Sequence, residues 1–348
     1  MLRVNAESAY PTITPGARVR VAAFGPFLRE QQVDMTFVSH LSDDEYRALG
    51  TGAGRAEKAY VVARCAGRVI HRTRPPDALL LVHRLLSLVP VPRHDPPPRV
   101  DVYDFDDALF EGSISAANRG FGALKREAQR WRAHVRRARL VIAGNEYLAE
   151  HARHHGARVE VVPSCIDSTA LTPRLHDDVE IMTVGWMGSA STTPYLLELL
   201  PVLASINADG VRMKLLAVGA AALPAAPWIE QRPWTLASEA QMLSRFDVGV
   251  MPLPDDPWTR GKCGYKLLQY FAAGVPAVAS AVGVNAALLS GGGGRAADSP
   301  AQWRRALEEF ARDTAARREA GRAGRRLAES EYSYQRWSPE LAAMLRSL

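Results

Sequence analysis

Short apolar runs alternate with amphipathic stretches along the whole chain. Runs at Leu2–Asn5, Val33–Val38, Ala78–Val82, Arg99–Tyr103, Leu140–Ala143 and Val159–Val162 read as strands. Ala78–Val82 is nearly continuous in apolar side chains, as expected of a parallel strand covered on both faces. A Ser-, Pro-, Thr- and Gly-containing loop at Ser8–Gly16 precedes a helix predicted over about Ala17–Glu30. The stiff Pro96-Pro97-Pro98 precedes the strand at Arg99. The alternation then restarts. Val179–Trp186 is a strand, followed by a Gly/Ser/Thr loop and a helix from about Pro194. Lys214–Val218, Val248–Met251 and Ala277–Ala279 are further strands, separated by helices at Ala237–Ser244 and Tyr265–Ala273. Gly291–Gly294 reads as a flexible loop, Gln302–Glu329 as one long helix and Ser338–Leu348 as a terminal helix.

Two successive strand–helix alternations imply an α/β chain of two parallel-sheet domains facing a central cleft. The division is 1–165, a linker at 166–178 that is polar and aperiodic, a second domain at 179–330, and a helix in 331–348 expected to return to the first domain. Ligands of such sheets bind beyond the carboxyl ends of the strands, so the residues just after each strand are the first candidates for chemistry.

One helix carries a strong charge pattern. Phe121, Leu124, Ala128, Trp131, Val135 and Ala138 form one apolar stripe at helical spacing. Lys125, Arg126, Arg130, Arg132, Arg136, Arg137 and Arg139 occupy the other faces. This reads as a core-facing helix with a solvated basic face. Weak peripheral membrane contact by that face is the minority reading.

Composition narrows the classes. The 348 residues are 47% hydrophobic and 23% charged, which fits a folded protein of about two domains. Three cysteines at wide spacing, Cys65, Cys165 and Cys263, form no CxxC pair, so neither a disulfide framework nor a zinc finger is expected. No apolar run approaches the ~20 residues of a membrane span, and the N-terminus has no apolar signal core, so a cytoplasmic location is expected. The net charge of +6 suits an anionic small substrate, a membrane surface or nucleic acid. The basic helix has a single aromatic, Trp131, and no recognised module, so nucleic acid is not expected. No GxSxG, HExxH, Walker or GxGxxG motif occurs.

The most informative segment is Phe246–Val282. Strand Val248–Met251 ends in a Pro-rich loop, and Thr259-Arg260-Gly261-Lys262-Cys263-Gly264 leads into a helix near Tyr265. Unpaired N–H groups and the helix dipole favour an anion at such a terminus, and Arg260, Lys262 and Lys266 add positive charge. The set suits a phosphate or diphosphate. Gly188-Ser189-Ala190-Ser191-Thr192, after the strand ending at Trp186, offers further backbone and hydroxyl donors. At the end of Ala78–Val82, His83 and Arg84 are candidates for a binding role. Tyr103-Asp104-Phe105-Asp106-Asp107 clusters three carboxylates at a strand end. A metal site through Asp104-Phe105-Asp106, helix capping by Asp106 or Asp107, and binding of acceptor hydroxyl or amino groups by Asp104 and Asp107 are the three readings. The last is preferred.

These motifs together resemble family 4 of the retaining glycosyltransferases, which have the two-Rossmann-domain GT-B fold. Leu267-Leu268-Gln269-Tyr270-Phe271-Ala272-Ala273-Gly274-Val275-Pro276 is similar to the family's donor-binding helix and turn. Gln269 and Gly261 stand where the family has its two glutamates. Val184–Ser189 is similar to its first C-terminal-domain strand and Gly loop. Val161–Asp167 resembles its interdomain segment, Asn145–Leu148 a helix start, and Ala281–Asn285 its loop near the donor sugar. The loop ending at Gly16, followed by Arg18 and Arg20, resembles the loop that closes over donor phosphate and acceptor.

The resemblance implies a metal-independent transferase, with no cofactor, that moves a sugar from a nucleoside diphosphate sugar to a hydroxyl or amine with retention. His83, Arg260, Lys262 and Lys266 would carry the chemistry. Gly16, Gly188, Ser189, Ser191, Thr192, Gly264, Tyr265, Gln269, Gly283, Val284 and Asn285 would bind the donor. Arg18, Arg84, Asp104 and Asp107 would bind a small-molecule or glycan acceptor. The departures at Gly261 and Gln269 keep two alternatives open: a non-catalytic nucleotide-sugar-binding partner subunit, and a GT-B-fold epimerase or pseudo-glycosyltransferase.

Overall fold

A computed structural model describes residues 1–50, 54–73, 75–112 and 125–348. The chain forms two compact units. The first comprises Met1–Ser164, Gly261–Cys263 and Tyr334–Leu348, and the second Cys165–Arg260 and Gly264–Ser333.

The first unit holds six parallel strands: β1 Leu2–Ser8, β2 Val33–Ser39, β3 Leu79–His83, β4 Val100–Phe105, β5 Ala138–Ala143 and β6 Val159–Val161, in the order β2-β1-β3-β4-β5-β6. β4 is buried at every position. Since β2 and β3 lie on opposite sides of β1, the strand order reverses between β1 and β3, and ligand sites form beyond such a switch point. His83 stands in register opposite Asp104.

The predicted helix at Ala17–Glu30 is broken. Pro15–Arg20 and Gly25–Glu30 are α-helical, with a 3₁₀ turn at Ala22–Phe24 between them. Val21 (φ −129°, ψ −69°) leaves the helical region, and Pro26 cannot donate the bond that a continuous helix would need there. The terminal helix runs over Tyr334–Arg346. Its first residue anchors it: the Tyr334 hydroxyl donates to the Val19 carbonyl (3.1 Å), and its ring packs edge-on against Phe24 and face-on against Phe27.

The basic helix is seen over Glu127–Arg137. Phe121 and Leu124 lie outside the described residues. Trp131 and Val135 face the core as expected, but Arg130 is also buried. It bonds to Asp95, which His134 approaches at 2.6 Å. A carboxylate with no side-chain exposure holds the guanidinium inside; with 35 residues between them, helical spacing alone places Arg130 on the wet face. Three histidines that sequence position assigns to loops or polar faces, His40, His134 and His176, are likewise buried, each beside an oxygen acceptor.

The second unit also holds six parallel strands: β7 Met182–Met187, β8 Met213–Val218, β9 Ile229–Arg232, β10 Val248–Met251, β11 Ala277–Ala279 and β12 Gly294–Ala296, in the order β12-β11-β10-β7-β8-β9. Its switch point lies between β7 and β10. Residues 166–178 pack within this unit: Arg174 bonds to Asp247 at 2.5 Å, and the His176 ring lies 2.9 Å from the Gly274 carbonyl. The stretch Gly291–Gly294 is a wide helical turn followed by β12. The long helix predicted over Gln302–Glu329 is two, Pro300–Arg312 and Thr314–Glu331, because Asp313 turns out of the helix and caps the second through Ala316 N (2.9 Å). Among the described residues no helix is long and apolar enough to cross a membrane.

Candidate functional site

Both switch points carry candidate residues. In the first unit, β3 and β4 bring His83 beside Asp104, with Nδ1 2.8 Å from Oδ1. Arg20 grips the same carboxylate from the other side, Nε at 3.3 Å from Oδ1 and Nη2 at 2.5 Å from Oδ2, and Nη1 donates to the Val162 carbonyl at 2.6 Å. Burial would raise the Asp104 carboxyl, but the Arg20 charge and the His83 and Arg20 hydrogen bonds outweigh it and hold it below the usual range.

The next two carboxylates are also engaged. Arg84 Nε donates to Asp106 Oδ1 (2.6 Å), and its Nη2 lies 2.6 Å from Asp107 Oδ2. Lys262 Nζ donates to the other Asp107 oxygen at 2.7 Å. Burial again works against charge at Asp106, and Arg84, then His83, reverse it so that its carboxyl sits well below the usual range. Three cations thus match three carboxylates. The metal reading of Asp104-Phe105-Asp106 meets carboxylates already bonded to guanidinium groups. Asp104, read from sequence as an acceptor ligand, faces Arg20 and His83 instead. Arg18, another sequence-based candidate, reaches the Thr12 carbonyl at 3.3 Å.

His83 is 1% exposed, and its Nε2 is buried without a hydrogen-bond partner among the described residues. Gly16 lies against that atom: a Cβ there would stand 3.3 Å from Nε2 and 3.0 Å from Arg84 Nη2. The glycine therefore keeps space beside the imidazole and the guanidinium. Arg20, read from sequence only as part of the segment after the Gly16 loop, belongs to the site, as do Asp106 and Asn145, which the preferred sequence reading left out. Asn145 caps its helix at Leu148 N (2.8 Å), while its amide donates to the carbonyls of Gly261 (3.1 Å) and Lys262 (3.2 Å). The only sequence signal for Asn145 was its place before a helix, which announces the cap and not the second bond.

Gly261 has no room for a side chain. A Cβ would lie 2.8 Å from Ala108 Cβ and 3.2 Å from Leu148. Cys263, beside it, donates to the Asp106 carbonyl at 3.4 Å, and burial with the nearby carboxylates pushes its thiol well above the usual range.

In the second unit, the loop after β7 and the helix Tyr265–Ala272 converge. Tyr270 ties the switch point together: its hydroxyl accepts from Met187 N (3.1 Å) and donates to the Val250 carbonyl (3.3 Å). Gln269 is buried, with its amide nitrogen 3.8 Å from Met187 Sδ. Lys266 Nζ lies 5.7 Å from the Trp186 ring centroid, within cation–π range. Gly188 is flanked by the Trp186 ring and Thr192 Oγ1 so closely that a Cβ would collide with both. Ser189, Ser191 and Thr192 bond among themselves in a capping turn, with Ser189 Oγ and Ser191 Oγ 2.9 Å apart.

Gly264 caps the helix Tyr265–Ala272 at φ +66°, a left-handed conformation that favours glycine. It approaches Val284 and Asn285. Gly283 (φ +55°) leads into that segment and abuts the Arg260 carbonyl. Asn285 is 1% exposed; its amide nitrogen donates to the Ser280 carbonyl at 3.1 Å, and its Oδ1 is buried without a partner among the described residues. The half-exposed Arg260 side chain forms a fork with Asp255 (2.6 and 3.0 Å).

Comparison with known proteins places this geometry. Residues 210–343 match the family model described as glycosyl transferase-like. No curated protein matches the sequence. The fold matches a sucrose-phosphate synthase from Thermosynechococcus elongatus with a TM-score of 0.72 at 14% identity, covering 99% of each chain. It also matches HepE from Anabaena, solved with UDP and glucose, with a TM-score of 0.66 at 13% identity over 100% of both chains. An α,α-trehalose 6-phosphate synthase from Burkholderia multivorans gives 0.64 at 14%, covering 100% of this chain and 99% of that one. The protein therefore has two Rossmann-like units of the GT-B glycosyltransferase fold. Its residues 210–343 are glycosyl transferase-like in sequence as well.

Proposed function

We propose that the protein is a glycosyltransferase that moves a sugar from a nucleoside diphosphate sugar to a hydroxyl or amine acceptor, with retention of anomeric configuration and without a metal. The observation that carries this reading is the convergence at the second unit's switch point. A glycine-bearing loop after β7, a left-handed glycine opening the helix Tyr265–Ala272, the Lys266 ammonium over Trp186 and the unpartnered Asn285 oxygen meet within one unit. The family match over residues 210–343 and the UDP and glucose held by HepE support it.

In this reading the second unit holds the donor through Gly188, Ser189, Ser191, Thr192, Gly264, Tyr265, Gln269, Gly283, Val284 and Asn285. As the glycosidic bond breaks, its electron pair leaves on the diphosphate. Lys266 and the N–H groups opening its helix stabilise that charge electrostatically, with Arg260 as a further cation. The first unit supplies His83, Gly16, Arg18, Arg84 and Asp107 toward the acceptor and the transferred sugar, with Asp104 behind His83. The reaction runs in the cytoplasm.

A thermal-shift panel of UDP, GDP, ADP and dTDP tests the donor assignment, because a bound nucleotide stabilises by mass action. Selective stabilisation by one of the four is expected; no shift with any would sink it. The tight packing at Gly261, where family 4 has a glutamate, favours one alternative, a nucleotide-sugar-binding partner without activity of its own. Stabilisation by a nucleotide, with no acceptor-plus-hexose mass formed until a second protein is added, would select that alternative.

A further inference from the structure

The first unit holds an imidazole whose two nitrogens have unlike surroundings. His83 Nδ1 faces the Asp104 carboxylate at 2.8 Å, whereas Nε2 is buried without a partner among the described residues, with Asp106 Oδ1 3.9 Å away. An ionised carboxylate can only accept, so the proton between them belongs on Nδ1, and a neutral ring then presents a lone pair at Nε2. Arg20 makes this arrangement rigid. Its bonds to both Asp104 oxygens and to the Val162 carbonyl leave the carboxylate little freedom to turn.

The surrounding charges close among themselves. Arg20 answers Asp104, Arg84 answers Asp106 and Asp107, and Lys262 answers Asp107. Gly16 lies directly against Nε2, where any side chain would crowd it. A buried acceptor so placed suits a neutral donor group and disfavours an anion, whose charge no cation of the cluster is left to match.

We infer that Asp104, clamped by Arg20, is a positioning residue that holds His83 in the Nδ1–H form, so that Nε2 accepts a hydrogen bond from a substrate hydroxyl. The tautomer stands on geometry alone; the assignment of the hydroxyl to a sugar or its acceptor rests on the proposed transferase reading. It also gives Asp104 a different task from direct acceptor binding.

The test is two-bond ¹H–¹⁵N correlation NMR of ¹⁵N-histidine protein, with the His83 signals assigned through His83→Gln. In the wild type, Nδ1 should be of the protonated type and Nε2 of the unprotonated type. In Asp104→Asn, Arg20 keeps the amide oxygen on its side, the amide N–H₂ faces Nδ1, and the pattern should reverse. A proton on Nε2 in the wild type, on a neutral or a doubly protonated ring, would overturn the inference, and so would an unchanged pattern in Asp104→Asn. If Asp104→Asn does not fold, Arg20→Lys loosens the clamp and should give a mixed tautomer population; an unmixed wild-type pattern there would count against the inference. In transfer assays Asp104→Asn should lower kcat about tenfold or more, the loss usual when a group orienting an imidazole is removed, while the nucleotide-induced thermal shift stays unchanged. The expected tautomers in a protein that binds no nucleotide and transfers no sugar would refute the transferase reading and leave the tautomer assignment standing.

Discussion

The ammonium of Lys262 donates to the carboxylate of Asp107 across 2.7 Å. Sequence reading assigned the first to a donor diphosphate and the second to an acceptor. The structure makes them partners, with Arg84 on the other Asp107 oxygen. The pair is mostly buried, at 23% and 13% side-chain exposure, so each group depends on the other for compensation. A double-mutant cycle of Lys262→Met and Asp107→Asn, read by urea denaturation, should show a coupling of about 0.5–3 kcal/mol. Strict additivity would mean that the contact has no energetic weight.

Lys266 is the cation at the start of the helix Tyr265–Ala272, close to the Trp186 ring. On the proposed donor reading, replacing it with Ala removes a charge-assisted bond worth about 1.5–3 kcal/mol. The donor KM should rise, or the nucleotide affinity fall, roughly tenfold or more, since each 1.4 kcal/mol is about a factor of ten. The protein should keep its fold, because the Lys266 side chain is only partly buried. Wild-type kinetics in Lys266→Ala would remove this residue from the donor site.

Gly261→Glu would introduce the acidic residue that the resemblance to family 4 implies at this position. The added Cβ would press on Ala108 and Leu148, so the substitution should destabilise the protein by about 1–3 kcal/mol through overpacking. Chemical denaturation measures this directly. A variant as stable as the wild type, or one with enhanced transfer, would show that the segment Gly261–Cys263 can move aside at little cost.

Acid should destabilise the first unit through Asp95 and His134. Burial lowers the His134 imidazole further than its bond to Asp95 raises it. Burial would raise the Asp95 carboxyl, but His134 and Arg130 bring it well below the usual range. For both groups the unfolded chain binds protons more readily, so stability rises with pH. The His134 contribution is complete above its unfolded pKa of about 6.5 and is lost as pH falls below it; that of Asp95 is lost only below about 3.9. Between about pH 7 and pH 5 the thermal midpoint should drop, with a slope of at most about 1.4 kcal/mol per pH unit from one proton. His134→Gln should flatten that segment of the curve. An equally steep curve in the variant would move the effect to other groups.

The architecture was legible because its signals are local. A parallel strand covered on both faces shows as an unbroken apolar run, and Leu80–Val82 and Val248–Met251 are buried throughout. Gly264 and Gly188 were legible for the same reason: a chain reversal before a helix needs a small residue at one known offset. Helix interruptions were harder. Asp313 divides two helices because its side chain caps the second, a choice that helix-forming neighbours on both sides conceal.

The amino-acid order by itself therefore determined two alternating α/β units and the glycine-bearing turns that follow their strands. What it left to the tertiary structure was the pairing of charges. Arg20 meets Asp104 across 84 residues, Arg130 meets Asp95 across 35, and Lys262 meets Asp107 across 155. Hydrophobic periodicity records which face of an element leaves water. It carries no record of which distant carboxylate waits there, because an ion pair depends on where two strands or helices end in space and not on any repeat along the chain.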